Sequence, residues 1–170
     1  MSGPNTTELA PIFHSYGLAV YTCHLLENCL ALLLGVIDDE RKRQGLPPRT
    51  SPVDPRMPKT IGALFAEVRA VEYITVPEKR QIQEAARIRN LLIHSYWSPH
   101  KLQAFLTPAG RAWLVDDIDK KSDQIRDADR LVTKFVDSYL ARYGKSVESL
   151  SASVFDEYVP DDAPPDEVLH

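Results

Sequence analysis

The chain has 170 residues, 44% of them hydrophobic, and a formal net charge of −4. That is the size and composition of one soluble domain able to bury its own core. No apolar run approaches the ~18 residues of a membrane span. Met1 to Glu8 lacks the basic and apolar regions of a secretory signal, so a cytoplasmic protein without membrane contact is expected.

The charge is unevenly spread. Asp156, Glu157, Asp161, Asp162, Asp166 and Glu167 fall in residues 151–170, which contain no Lys or Arg. Without them the body of the chain is slightly basic. The overall acidic balance argues against a dedicated nucleic-acid coat protein, yet a local basic patch still suits a polyanionic substrate. Cys23 and Cys29 are the only cysteines. Six residues apart in a helical pattern, they face different ways, so neither a disulfide nor a metal knuckle is expected.

The first element is a long helix. Leu9, Ile12, Phe13, Tyr16, Val20, Cys23, Leu26, Leu30, Leu33, Leu34 and Ile37 recur at spacings of three and four. Thr7 is the expected N-cap, with Pro11 near the first turn, and the helix closes near Gly45. Residues 45–59 carry Pro47, Pro48, Pro52, Pro55 and Pro58, which forbid regular structure. With Arg49, Arg56 and Lys59, this stretch is either a solvated basic loop or one that faces RNA or a partner.

A second helix is expected from Thr60 to about Tyr73, with Ile61, Leu64, Phe65, Val68 and Val71 on its inner face. Thr75 and Glu78 have capping-box spacing around Pro77, so a third helix starts at Val76. Its core face is Ile82, Ala85, Ala86, Ile88, Leu91, Leu92 and Ser95, and Ser98-Pro99 ends it. Thr107-Pro108 opens the last helix, which runs to Gly144. Pro160, Pro164 and Pro165 among acids mark a disordered tail. The expected fold is therefore all-α. Residues 1–145 form an antiparallel bundle of four main helices with room for a short extra one, and residues 146–170 form an acidic tail. Nothing supports a Rossmann, P-loop or zinc-finger fold.

The chemically informative stretch is Arg87-Ile88-Arg89-Asn90-Leu91-Leu92-Ile93-His94-Ser95-Tyr96-Trp97. Asn90 and His94 are four apart and share a helical face, so the amide can fix the imidazole tautomer. Arg89 reaches over that face, and Tyr96 follows near the helix end. A guanidinium, a titratable base and a phenol are costly groups to place there for packing alone. The plainer alternative is a structural His94, with Arg89 paired to a carboxylate such as Glu84 or Glu67.

These residues resemble the Arg-x4–6-His motif of the HEPN superfamily. Arg89 and His94 match it, Asn90 stands where the motif most often has asparagine, and His94-Ser95-Tyr96 extends it to the Arg-x4-His-x-Tyr pattern of HepT-like toxins. The resemblance spans roughly residues 8–143, with residues 87–97 carrying its specificity. It implies a helical bundle with the motif near the end of the third main helix. It also implies a dimeric, metal-independent endoribonuclease with no cofactor, the toxin of a toxin–antitoxin or antiviral defence system. Arg89 would be the catalytic, phosphate-binding arginine, His94 the catalytic histidine and Asn90 its support. Tyr96 would match the tyrosine to which a partner nucleotidyltransferase antitoxin transfers AMP. The same motif resembles regulatory relatives such as the mannitol-operon repressor family, where the bundle serves as a non-catalytic interaction module.

Metal-free RNA cleavage needs a base for the 2′-OH, an acid for the departing 5′ oxygen and a cation for the phosphorane. Histidine can do either proton transfer near neutral pH, and the arginine fork matches two phosphate oxygens. One chain offers one Arg–His pair, and a two-fold dimer through the motif helix offers two. The expected products are a 2′,3′-cyclic phosphate and a 5′-hydroxyl. His14 and His24 read as ordinary core or surface histidines, and His100 as a surface residue. Tyr16, Trp113 and Tyr139 read as packing groups. Glu27 and Asn28, which interrupt the first apolar face, are weighed as contacts to Arg89.

Overall fold

The computed structural model describes residues 4–47 and 74–146, with Leu64, Ala66 and Val68 between them. The described residues form an all-α, antiparallel bundle of four main helices with no strand. Helix α1 spans Thr6–Arg43, and the second packed helix is represented by Leu64, Ala66 and Val68. Helix α2 spans Val76–Asn90 and continues as a π-helical turn over Leu91–Ser95. The short helix α3, Pro99–Ala104, is the extra element, and α4 spans Pro108–Ala141.

The helix expected over Thr60–Tyr73 lies mostly outside the described residues. Its visible positions keep the expected period, with Leu64 and Val68 buried and Ala66 exposed. The proline-rich stretch after Pro47 and the acidic tail after Ser146 lie outside the described residues.

The N-terminal cap differs from the expected one. Asn5, not Thr7, caps α1: its Oδ1 accepts from the Glu8 amide at 3.0 Å, and Glu8 Oε2 accepts from the Asn5 amide at 2.9 Å. This reciprocal pair satisfies two helix-end donors. Pro11 consequently lies inside α1 rather than in its first turn, and the Thr7 carbonyl loses its helical donor. Asn5→Ala should cost about 1 kcal/mol, or ~2–4 °C in a chain of this size. Thr7→Ala should leave the melting temperature nearly unchanged. Thermal melts of the two variants check which residue is the cap.

The other boundaries fall as expected. Thr75 Oγ1 accepts from Glu78, and Glu78 Oε2 accepts from the Thr75 amide at 2.8 Å, with Pro77 in the first turn. Thr107 Oγ1 accepts from Gly110 at 3.0 Å to open α4. Gly45, at φ +71°, closes α1: its amide donates to Lys42, and the Leu46 amide donates to Arg41 at 2.9 Å. Only a residue at ease with positive φ reverses the chain this way.

Helices α1 and α4 make the main contact of the bundle. Small residues let them approach: Ser15, Ala19 and Thr22 on α1 are buried, as are Ser122 and Ala128 on α4. Ser122 Oγ donates to Thr22 Oγ1 at 3.4 Å, and Thr22 donates back to the Leu18 carbonyl at 2.9 Å. The Thr22 and Ser122 hydroxyls are thus paired, as burial requires. Leu26, Leu30, Leu33, Ile118, Ile125 and Val132 fill the core along the same seam. This turns Phe13, expected on the inner face, out to 56% exposure. Against the expectation that no segment approaches a membrane span, α1 contains an 18-residue window of mean hydropathy 1.7, long and apolar enough by composition to cross a bilayer, with 44% of it buried in the bundle.

Candidate functional site

Arg89 and His94 are five residues apart. On a regular α-helix such residues point about 140° away from each other. Here the i→i+5 turn over Leu91–Ser95 widens the helix between them. Arg89 Nη1 therefore reaches 3.2 Å from His94 Nε2. A guanidinium only donates, so Nε2 accepts and the proton of neutral His94 sits on Nδ1. The same Nη1 donates to Asn90 Oδ1 at 3.1 Å. This corrects the expected Asn90–His94 pair: Asn90 steadies the guanidinium, and no hydrogen bond joins it to the imidazole. The wider turn also rotates Leu91 and Ser95, expected in the core, out to solvent.

The wide turn is pinned from α1. The Tyr16 hydroxyl donates to the Leu92 carbonyl at 2.8 Å. Its ring packs against Trp97 at 4.9 Å and Tyr96 at 6.0 Å. Tyr16 is thus more than a packing group, since it holds the backbone between Arg89 and His94. Tyr16→Phe should keep the ring contacts and lose one hydrogen bond, about 1 kcal/mol. A thermal melt should show the loss. Amide hydrogen exchange should speed up over residues 91–96 more than in α4.

Helix α1 also supplies the counter-charge. Glu27 Oε1 lies 2.5 Å from Arg89 Nε, an ion pair with side chains 21% and 16% exposed. The two atoms meet off the hydrogen-bond line, so the contact is one of charge. Glu27 Oε2 in turn lies 3.4 Å from Nδ1 of His24, whose side chain is 62% exposed. Of the carboxylates weighed for Arg89, Glu84 pairs instead with Arg87 at 3.4 Å. Asn28 is exposed, and no hydrogen bond joins it to Arg89. His24 is exposed, within its reading as an ordinary core or surface histidine. The i, i+3 spacing to Glu27 puts both on one face of α1.

Cys23 lies behind this group, and both cysteines are free. Burial pushes the Cys23 thiol up to about 11, while the Arg89 charge pulls the other way. At neutral pH it stays a thiol and packs as a small apolar group.

Tyr96 is 1% exposed. Its hydroxyl lies 3.0 Å from Asp117 Oδ2, to which it donates, and 3.4 Å from the Leu114 carbonyl. Lys101 Nζ sits 3.4 Å above the ring and 2.8 Å from Asp117, and Lys121 also pairs with Asp117. Burial, then the Asp117 hydrogen bond and charge, push the phenol well above the ordinary tyrosine range. Burial would raise the Asp117 carboxyl, but hydrogen bonds from Lys101, Lys121 and Tyr96 together hold it down to about 2. The AMP transfer that the resemblance implies at Tyr96 would require this packing to open first.

The remaining candidates stand apart. His14 is exposed, and His100 is exposed with its ring 6.4 Å from Trp113. Tyr139 lines a cavity of about 310 Å³ farther along α1, with Arg43, Tyr143 and Lys145. Among the described residues, no three His, Cys, Asp or Glu side chains converge to hold a metal ion. The site is thus a line of polar contacts across α1 and α2: His24, Glu27, Arg89, His94. It joins a fixed cation to the Nε2 lone pair of an exposed imidazole, which accepts from that cation. Compared with protein-family models, curated proteins and solved structures, the chain finds no match.

Proposed function

We propose that this protein is a metal-independent endoribonuclease of the HEPN type, acting as a toxin or defence effector in the cytoplasm. The observation that carries this is the Arg89–His94 contact at 3.2 Å, made across a π turn that brings two otherwise divergent side chains together. His94 is exposed, so its ring can meet a substrate. In the reaction, the RNA phosphate takes the Arg89 Nη1 donor and frees the His94 Nε2 lone pair. His94 accepts the 2′-OH proton, the 2′ oxygen attacks phosphorus, and the P–O5′ bond breaks with its electron pair on O5′, which takes a proton from the second Arg–His pair of the proposed dimer. The phosphoryl charge builds beside a guanidinium already oriented by Glu27 and Asn90. The decisive experiment is incubation of purified protein with total RNA in EDTA, followed by analysis of the ends. New 5′-hydroxyl and 2′,3′-cyclic phosphate ends support the proposal. Intact RNA overturns it.

A homodimer is part of the same proposal. Leu18, Tyr21 and Leu25 on α1 and Leu91 on the π turn are exposed apolar residues. Their i, i+3, i+7 spacing on α1 makes one stripe suited to helix–helix burial. Light scattering should give about twice 19.2 kDa at tens of micromolar. A strict monomer removes the dimer from the proposal.

One observation favours a regulatory module instead. The Arg89–Glu27 pair already satisfies the guanidinium charge within the chain. On that reading, partner chains are the ligand and RNA is not cleaved, whereas a nucleotidyltransferase antitoxin as partner would favour the toxin. Binding of RNA or a partner without new RNA ends would support it.

A further inference from the structure

We propose that the cavity between the C-terminal ends of α1 and α4 binds a small aromatic anion, a body of one or two rings with a carboxylate or phosphate at one end. The cavity is separate from the Arg89–His94 pair and independent of the ribonuclease activity proposed above. Gly35 in its wall lies eight residues beyond Glu27 on α1, about 12 Å along the helix axis. Its volume of about 310 Å³ is at the lower end for small-molecule pockets. Glycine is a poor helix residue, and at Gly35 its missing side chain is the open space: a Cβ added there would meet nothing within 4 Å. Val36 and Leu140 give the cavity a buried apolar wall. The Tyr139 and Tyr143 rings, with centroids 5.2 Å apart, add aromatic surface. Such walls suit a planar apolar body.

The polar groups around the cavity call for a negative head. Arg43 and Lys145 line it and are exposed, so they stand where it meets solvent. With Asp39, the one carboxylate in the lining, they leave a net positive charge. Asp39 Oδ2 accepts from Arg43 Nε at 3.0 Å, and the guanidinium stacks 4.6 Å above the Tyr143 ring. Arg43 is thus held in place, and among the described residues its terminal amino groups have no acceptor. These are the donors that match a carboxylate or phosphate. The wall also holds an unpaired hydroxyl. Tyr139 is 7% exposed, and its buried oxygen makes no hydrogen bond. Glu40 lies near it, but Glu40 Oε1 accepts from Gln44 Nε2 at 2.7 Å and Oε2 accepts from the Tyr143 hydroxyl. Burial, then Glu40, push the Tyr139 phenol above the ordinary tyrosine range, so its hydroxyl keeps its proton and is a donor. Arg43 is within electrostatic reach of that phenol, so cation and donor serve one head group. A buried donor without an acceptor is costly, and an anion seated here supplies one.

The experiment uses the full chain and four probes that share one body: 2-naphthoate, 2-naphthyl phosphate, 2-naphthalenemethanol and 2-naphthylmethylammonium. Calorimetry gives affinities, and amide chemical shifts give the place. Both anions should bind, about 5–10-fold more tightly than the alcohol or the ammonium. The shift changes should centre on Gly35, Val36, Tyr139, Leu140 and Tyr143. The tighter of the two anions tells a carboxylate head from a phosphate head. Arg43→Gln and Lys145→Gln should each weaken 2-naphthoate by about 3–5-fold. Gly35→Leu should fill the cavity and abolish binding of every probe, while melting no lower than wild type. If Gly35→Leu fails to fold, the shift map of the wild type decides. No binding of either anion at millimolar concentration overturns the proposal. So does an alcohol or ammonium that binds as tightly as the anions, because the cavity then reads no negative head. Undiminished binding to folded Gly35→Leu, or shift changes centred elsewhere, also overturns it.

Discussion

His94→Ala is expected to lower RNA cleavage by about 10²–10⁴-fold, the usual worth of a positioned proton-transfer group. The fold should survive, because His94 is exposed. Arg89→Ala should lose comparably for a different reason: the transition-state charge on the phosphoryl oxygens then has no fixed cation. Arg89→Lys should rescue little. One guanidinium touches Glu27 through Nε and both Asn90 and His94 through Nη1. An ammonium is a point charge without that fork. Asn90→Ala should be milder, since the Glu27 pair still holds the guanidinium. Tyr96→Phe should leave cleavage largely intact while blocking AMP transfer by a partner enzyme. EDTA should not slow the wild type, because both proton transfers and the charge stabilisation are assigned to side chains. Initial rates on a labelled RNA settle each point. Full activity in His94→Ala, or strict dependence on a divalent ion, would sink the mechanism.

Asp117→Ala is expected to give the largest loss of stability among the polar substitutions considered. It strands Lys101 and Lys121, whose side chains are 16% and 20% exposed, and the buried Tyr96 hydroxyl loses its closer acceptor. Removing one partner of a largely buried charge group leaves the others uncompensated. These groups still touch solvent, so the expected cost is about 2–3 kcal/mol, or ~4–12 °C in the melting temperature. Asp117→Asn should cost less, because the amide oxygen still accepts from Tyr96. The pH dependence has a definite sign. The folded-state carboxyl is held near 2, below its ordinary value of 3.8. Its contribution is therefore present above pH ~4 and lost as the pH falls toward 2. Melts of wild type and Asp117→Ala should differ most at neutral pH and converge toward pH 2. A gap that persists at pH 2 would mean that packing, not charge, holds this corner.

Much of the bundle was legible in the chain itself. The capping box at Thr75 and Glu78, the Thr107-Pro108 start and the Gly45 and Gly144 stops are local chemistry. Each needs only neighbours in sequence, so each was readable there. The first helix was readable as a helix but not in its cap. Asn5 and Glu8 have the same box spacing, and Asn5 proved to be the cap where Thr7 was expected.

The residue types of the site were also set by the sequence: an arginine and a histidine five apart, an asparagine between them and a tyrosine beyond. What the sequence alone left undecided is whether Arg89 and His94 meet. Leu91-Leu92-Ile93-His94-Ser95 has no local feature that demands a π turn, and regular helix periodicity separates the pair. The decision comes from Tyr16, 76 residues away, whose hydroxyl holds the Leu92 carbonyl. Glu27 and Asp117 likewise reach the motif or its neighbour Tyr96 through contacts between helices. Helix starts and stops follow from short-range hydrogen bonds, which the sequence spells out. The line of charge from Glu27 to His94 exists only because α1 packs against α2 in one register, and that register was chosen by the buried side chains of the whole bundle.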